Sequence, residues 1–212
     1  MKILLIGASG AIGSRVLAEA LARGHDVTAL ARHMPEHDHR QLLTVVQADA
    51  REVENLARLA AGQDALVSAM SPRSDGGQEQ FVEAVHGVLR AVEQANVPYV
   101  LFVGGASSLE SEPGKRVLDN LLERMPREQL SEAIVMTDVR DLVAASPVNW
   151  TFLSPAGTIS PGKRTGHFRL GGRQPVKDEQ GKSQISMEDY AVAVLDELER
   201  PRHVRQQFNV GY

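Results

Sequence analysis

Lys2-Ile3-Leu4-Leu5-Ile6-Gly7-Ala8-Ser9-Gly10-Ala11-Ile12-Gly13-Ser14-Arg15 is the stretch on which the fold turns. Four consecutive apolar residues, Ile3 to Ile6, read as a short strand covered on both faces. Glycines then follow at positions 7, 10 and 13. Gly7 takes the tight turn out of the strand. Gly10 lacks a Cβ, so a pyrophosphate can approach the backbone. Gly13 lets the following helix pack close to the strand. The free N–H groups at the start of that helix, together with its dipole, form an anion site. This glycine spacing is weak evidence in isolation. Between an apolar strand and Val16-Leu17-Ala18-Glu19-Ala20-Leu21 it predicts a dinucleotide-binding turn contacted through Gly7, Ser9, Gly10, Ala11 and Ile12.

The bulk composition narrows the class. A chain of 212 residues predicts one domain, 1–212. Hydrophobic residues make up 42 % but aromatics only 4 %, so aliphatic side chains must fill the core. A net charge of −4 gives no electrostatic case for nucleic acid. The absence of cysteine excludes disulfides and thiolate chemistry and fits a reducing compartment. The first apolar run is four residues long and the glycine turn follows at once, which does not read as a signal peptide. No stretch approaches the roughly 18 apolar residues of a membrane helix. These features predict a soluble cytoplasmic protein with no membrane partner.

Outward from the glycine turn, strands and helices alternate. Arg23-Gly24-His25 closes the first helix with a glycine at C′, and Asp26–Ala31 is the second strand. An NAD site places an acid after this strand to bond the ribose 2′-hydroxyl. Here Arg32 stands there, with no acid until Glu36. A guanidinium grips a 2′-phosphate with two parallel hydrogen bonds, so NADP is favoured and NAD remains open. Arg15 offers a second contact, and the competing reading of Arg32 is a solvated loop cation. His33, His37, His39 and Asp38 resemble a metal cluster but sit in a polar, proline-containing loop without further ligands nearby, so no metal site is expected.

Leu42–Val46 is the third strand. Asp49 and Ala50 lie at its carboxyl end, where Asp49 either bonds the adenine amino group or caps the helix over 53–61. Ala65–Met70 is the fourth strand, with Ala69 and Met70 facing the cofactor. Apolar spacing at Phe81, Val85, Val88, Leu89 and Val92 predicts a helix from about 78 to 94. Tyr99–Val103 is the fifth strand. Val103 and Gly104 begin a stretch of small residues that brings a ligand close to the backbone. Ser107 and Ser108 then either face a reacting group, with Ser107 the candidate catalytic hydroxyl, or merely shape the loop. Helical material over 117–122 and 128–145 leads to a sixth strand at 149–153, followed by Pro155 and Ala156.

Successive β–α units predict an α/β fold of Rossmann type. It is a doubly wound parallel sheet of order 3-2-1-4-5, extended by the sixth strand. Residues 155–184, rich in Gly, Pro, Lys and Arg, read as a small C-terminal lobe on the substrate side of the sheet. Ser186 and Asp189 resemble a capping box for the last helix, and residues 207–210 can form a final strand.

The chain resembles the atypical short-chain dehydrogenase/reductases. Within them it is similar to the NADH-flavin reductase branch, near the NmrA-like and biliverdin-reductase-B-like proteins. The motifs that carry this are Gly7–Gly13, Val103-Gly104-Gly105-Ala106-Ser107-Ser108-Leu109, Trp150–Ala156, Pro161-Gly162-Lys163-Arg164-Thr165-Gly166 and Ile185–Ala191. The resemblance implies a bound NAD(P) and hydride transfer to a flavin, quinone or similar planar acceptor. NmrA-like relatives imply an alternative, a sensor that binds NADP without turnover. One departure matters. Standard members use a Tyr-x-x-x-Lys pair, but Tyr99 and Tyr190 are followed four residues later by Val103 and Val194, and Tyr212 is the last residue. Alcohol–ketone chemistry with a tyrosine acid is therefore not expected. The acceptor is expected between Gly104–Leu109 and the lobe. Phe168 would stack on it, Arg164 would meet its anionic group, and Ser108 and His167 would lie beside it. The competing reading is a lobe that merely covers the sheet edge.

Overall fold

A computed structural model describes residues 1–30, 41–73 and 77–212. In chain order the first half contains β1 (Lys2–Ile6), α1 (Ala11–Ala22), β2 (Asp26–Leu30), β3 (Leu43–Val46), α2 (Val53–Ala60), β4 (Ala65–Ser68), α3 (Gln78–Ala95) and β5 (Val100–Val103). A short hairpin, β6 (Glu110–Glu112) and β7 (Lys115–Arg116), leads into α4 (Val117–Leu122) and α5 (Ser131–Ala145). The remainder is β8 (Trp150–Ser154), β9 (Thr158–Ser160), β10 (Arg169–Gly171), β11 (Gln184–Ser186), α6 (Met187–Glu199) and β12 (Gln206–Gly211).

Among the described residues the main sheet has eight strands in the order β10-β12-β8-β5-β4-β1-β2-β3. It is parallel from β12 to β3, and only β10 runs antiparallel to its neighbour. This is the expected Rossmann-type order, carried two strands beyond the sixth. The winding reverses between β1 and β4, which sets a crevice at the carboxyl ends of the strands.

Alternate side chains of each strand enter opposite cores, as the two-residue period requires. Ile3 and Leu5, Ala65 and Val67, and Leu101 and Val103 pack under α1 and α6. Leu4 and Ile6, Leu66, and Val100 and Phe102 pack under α2, α3 and α5. The unbroken apolar strands follow from this two-sided burial. In α3 the buried positions Phe81, Ala84, Val85, Val88, Leu89 and Val92 recur at helical spacing, and Asn96 in the left-handed conformation ends the helix.

Three sequence expectations are refined. The helix expected from 128 starts at Ser131, after a 3₁₀ turn at Arg127–Leu130. The small C-terminal lobe expected over 155–184 is built in two parts. β9 pairs with β11 in a small parallel ribbon, and β10 extends the main sheet by joining β12. The Ser186 capping box is half formed, because Ser186 Oγ accepts from Asp189 N at 3.0 Å but the Asp189 carboxylate does not return the bond. It is buried and accepts instead from Thr165 N (2.7 Å), Gly166 N (2.8 Å), Thr165 Oγ1 (2.6 Å) and Tyr212 Oη (2.7 Å). Burial pushes this carboxyl's pKa up, yet the bonds from Thr165, Gly166 and Tyr212 outweigh it and hold the group below its ordinary value.

Among the described residues, no helix is long and apolar enough to cross a membrane. Arg32, His33, His37, Asp38 and His39 lie outside the described residues.

Candidate functional site

The site starts at the first glycine turn. Gly7 has φ +81°, and a Cβ there would lie 2.6 Å from the Ala69 carbonyl oxygen, so this position is closed to side chains. A Cβ on Gly13 would lie 2.0 Å from Gly7 O, which shows how tightly α1 is seated on the turn. Gly10 differs. Its φ is −73°, and a Cβ there would meet only Gly7 O, at 3.2 Å. The space beyond it opens into the crevice. Gly10 N donates to Gly7 O and Ser14 N to Gly10 O, so the amides of Ala11, Ile12 and Gly13 precede the first full helical bond. Gly10 makes no side-chain cap to occupy them. A glycine cradle facing free helix amides is the arrangement that suits a pyrophosphate.

From this turn a cleft of ≈ 930 Å³ runs along the carboxyl ends of the strands. Gly7, Ser9, Gly10, Ala11, Ile12, Asp49, Ala50, Ala69, Met70, Val103, Gly104, Pro155 and Ala156 all line it, so of the expected cofactor residues that the structure describes it brings together all but Arg15. The volume is of the size that holds extended ligands. Gly105 and Ala106 continue the floor, Met136 and Met187 add apolar wall, and Thr158 and Ile159 close one side. A Cβ on Gly104 would lie 2.3 Å from Phe152 Cε1, so the low floor there is set by the ring packed beneath it.

Asp49 does not cap α2, whose N-cap is Glu52. Its Oδ1 accepts from Arg51 N at 2.9 Å, and the Arg51 guanidinium forks onto both carboxylate oxygens. Of the two readings of Asp49, the cap is therefore removed and the cleft-facing position kept. Arg51, which also lines the cleft, was missed in the sequence. Its signal is the Asp-x-Arg spacing just past the third strand.

Other expected residues are elsewhere. Arg15 Nε donates to Glu188 Oε1 at 3.0 Å and Arg15 Nη1 to Ala11 O at 2.9 Å, so its guanidinium is held along α1, away from the cleft. Ser107 Oγ donates to Ala133 O at 2.9 Å and accepts from Thr137 Oγ1 at 3.0 Å. Ser108 Oγ donates to Gly105 O at 3.2 Å and accepts from Gln207 Nε2 at 2.8 Å. Both hydroxyls are buried and neither lines the cleft, which corrects their assignment as catalytic and substrate-facing groups. They are structural: Ser154 Oγ also donates to Gly105 O at 2.9 Å, and Gln207 Nε2 bridges Ser108 and Ser154. This network pins the loop whose backbone forms the floor.

Arg164 is placed by Glu19. Its Nε and Nη2 donate to the two Glu19 oxygens at 2.7 and 2.8 Å. Glu19 is 7 % exposed, also takes Arg23, and has its pKa lowered, mainly by the Arg164 bond. Phe168 packs against the core beneath α1 and α6 and lines a smaller hollow with Leu170, Ala193 and Phe208. His167 is exposed beside it. None of the three borders the cleft, so they do not form the acceptor wall expected for them.

The three tyrosines are likewise committed. Tyr99 Oη meets Thr151 Oγ1 at 2.5 Å and donates to Glu197 at 3.1 Å. Tyr190 Oη donates to Leu153 O at 2.5 Å, and Tyr212 Oη to Ser186 and Asp189. Burial pushes the Tyr99 and Tyr190 hydroxyls well above the usual tyrosine range. Among the described residues, the ionisable side chains of the cleft are Asp49, Arg51, Arg73 and Glu132.

Known proteins are similar to this chain over nearly its whole length. An uncharacterised protein of Bacillus subtilis, YwnB, is 37 % identical over 99 % of this chain and 98 % of its own. A Bacteroides thetaiotaomicron structure provisionally named an epimerase is 37 % identical, with a TM-score of 0.90 over 100 % of this chain and 96 % of that one. A Streptococcus pneumoniae structure provisionally named an NADH-flavin reductase is 30 % identical, with a TM-score of 0.85 over 100 % and 99 % of the two chains. The profile of the family described as NAD(P)H-binding matches residues 7–201. With nearly the whole length matched, and a glycine cradle opening on a dinucleotide-sized cleft, the chain belongs to the NAD(P)H-binding family.

Proposed function

We propose that the cleft binds NADPH and that the protein is a reductase of a planar acceptor, such as a flavin or quinone, working without a tyrosine–lysine pair. The observation that carries this reading is the continuity of the cleft from the Gly10 cradle to the Val103–Ala106 floor. The free amides at the start of α1 bind the pyrophosphate. Asp49 accepts from the adenine amino group. Arg32 supplies the 2′-phosphate contact that favours NADP over NAD. The backbone of Pro155 and Ala156 holds the carboxamide, and the low floor at Gly104–Ala106 leaves room for two rings face to face. Met136 and Met187 exclude water from that end. When bound, a reduced nicotinamide supplies the hydride, and the chain's task is orientation.

A second reading, an NADP sensor without turnover, is favoured by the cleft's ionisable groups. Among the described residues they include no tyrosine, lysine or histidine. One assay separates the two. Purified protein is mixed with NADPH and FMN, riboflavin or a quinone, and absorbance of the reduced nicotinamide is followed. Acceptor-dependent loss supports the reductase. NADPH binding by calorimetry with no loss for any acceptor class overturns it in favour of the sensor.

A further inference from the structure

Two charged side chains from opposite walls of the cleft meet at its solvent-facing side. Arg73, just past the end of β4, donates through Nε to Glu132 Oε2 at 2.6 Å. Glu132 sits in the first turn of α5, four residues before Met136. Met136 is the side chain nearest the Gly105 floor, since a Cβ added at Gly105 would lie 3.3 Å from Met136 Cβ. One helical turn is about 5.4 Å, so the ion pair stands roughly that far along α5 from the floor. Both residues line the cleft.

Two other arginines lie outside the cleft lining and are engaged elsewhere. Arg164 is forked onto Glu19, and Arg116 onto Asp141. Arg51 lies beyond β3, beside Asp49, at the opposite end from α5. Of the cleft's two described cations, Arg51 and Arg73, Arg73 is the one whose partner, Glu132, stands one helical turn from Met136 beside the Gly105 floor. Its side chain is 78 % exposed and that of Glu132 40 %. An ion pair so exposed contributes little, and exchanging its carboxylate for another anion costs little. A phosphate monoester presents more charge than a carboxylate and accepts both arms of a guanidinium.

We propose that Arg73 recognises the acceptor, that the acceptor is a planar molecule carrying a phosphate monoester, and that Glu132 holds the guanidinium in place until that phosphate displaces it. This rests on the reading of the cleft as an NADPH-dependent reductase site.

FMN and riboflavin test it, because they share a ring system and differ by the phosphate. Each is titrated into NADP-saturated protein and binding is followed by quenching of flavin fluorescence. Wild type binds FMN about three- to fivefold more tightly than riboflavin, the scale of an exposed ion pair. Arg73→Gln removes the preference by weakening FMN alone. Glu132→Gln, which removes the competing carboxylate, tightens FMN. Raising salt from 0.05 to 0.5 M, as a rough bracket of strong to weak screening, narrows the wild-type preference. Equal affinity for the two flavins in wild type overturns the proposal. So does an Arg73→Gln variant that weakens both flavins alike, or that weakens NADP and leaves the FMN preference intact. Binding is read without turnover, so the two readings fail separately. Arg73-dependent FMN selectivity with no NADPH oxidation sinks the reductase and leaves this assignment standing. NADPH oxidation that is equal with both flavins does the reverse.

Discussion

Two neighbouring glycines of the first turn should respond to the same substitution in opposite ways. In Gly13→Ala the new Cβ would lie 2.0 Å from Gly7 O and 2.8 Å from Gly7 C, both backbone atoms. Ordinary contact begins at 3.4 Å, so α1 must retreat by about 1.4 Å, the difference of the two distances. That retreat strips contacts from Val16, Leu17 and Ala20, which are buried against the sheet. Overpacking of this kind costs about 1–3 kcal/mol. For a chain of this length it lowers Tm by roughly 2–4 °C per kcal/mol. In Gly10→Ala the Cβ meets only Gly7 O, at 3.2 Å, and φ is −73°, a value alanine adopts freely. Gly7 O must give by about 0.2 Å, the shortfall from 3.4 Å, which offsets a gain of up to about 1 kcal/mol from the stiffer unfolded chain, so the apo protein should melt close to wild type. Its methyl group, however, projects into the cradle. At NADP near 100 times the wild-type Kd, ligand stabilisation of about 2.7 kcal/mol should fall to about 1.4 kcal/mol if binding weakens tenfold. Differential scanning fluorimetry with and without NADP reads both effects. An unchanged NADP shift in Gly10→Ala would refute the cradle. A Gly13→Ala variant that melts with wild type would refute the close seating of α1.

Two further outcomes are expected. Arg32→Ala should weaken NADP by about 1.5–3 kcal/mol in calorimetry while leaving NAD nearly unchanged; equal weakening of both would show that Arg32 only supports its loop, and a wild type that prefers NAD would remove the assignment. Asp189 has its folded-state pKa held below the ordinary value, so its contribution to stability is complete above about pH 4 and is lost as pH falls through the folded pKa. Asp189→Asn turns an amide donor toward donors and should cost about 2 kcal/mol or more at pH 7, with the gap to wild type closing below pH 4 in denaturant titrations; a gap independent of pH would contradict this.

What could be read from the sequence is what depends on near neighbours. The glycine turn, the two-faced strands, the spacing of α3 and the small residues at Val103–Ala106 each follow from a few adjacent positions. Together they placed the lining of the cleft. The readings that needed revision depend on partners far along the chain. Ser107 looked available because Ala133 and Thr137 are not its neighbours in sequence. Ser108 is held by Gln207, and Arg164 by Glu19 from the opposite end of the chain. An exposed-looking hydroxyl or guanidinium carries no local mark of the acceptor that will claim it. Gly87 is a similar case. It sits in mid-helix, where it reads as a weakness, yet a Cβ there would lie 2.3 Å from Ala50 O, and its absence lets α3 press against the loop that carries Asp49.

The position of β12 bears on how the chain assembles. The last strand in sequence is not the last in the sheet, because it lies between β8 and β10. Until residues 206–211 are in place, β8 presents an open edge and β10 has no strand to join. Growth of this side of the sheet therefore waits for the most distant segment of the chain, and the loop-closure entropy is paid before the edge is covered. During synthesis the growing chain must carry an uncovered β8, every residue of which is buried in the finished fold, through the whole of the intervening segment. This is the interval in which unpaired strand edges invite association with other chains.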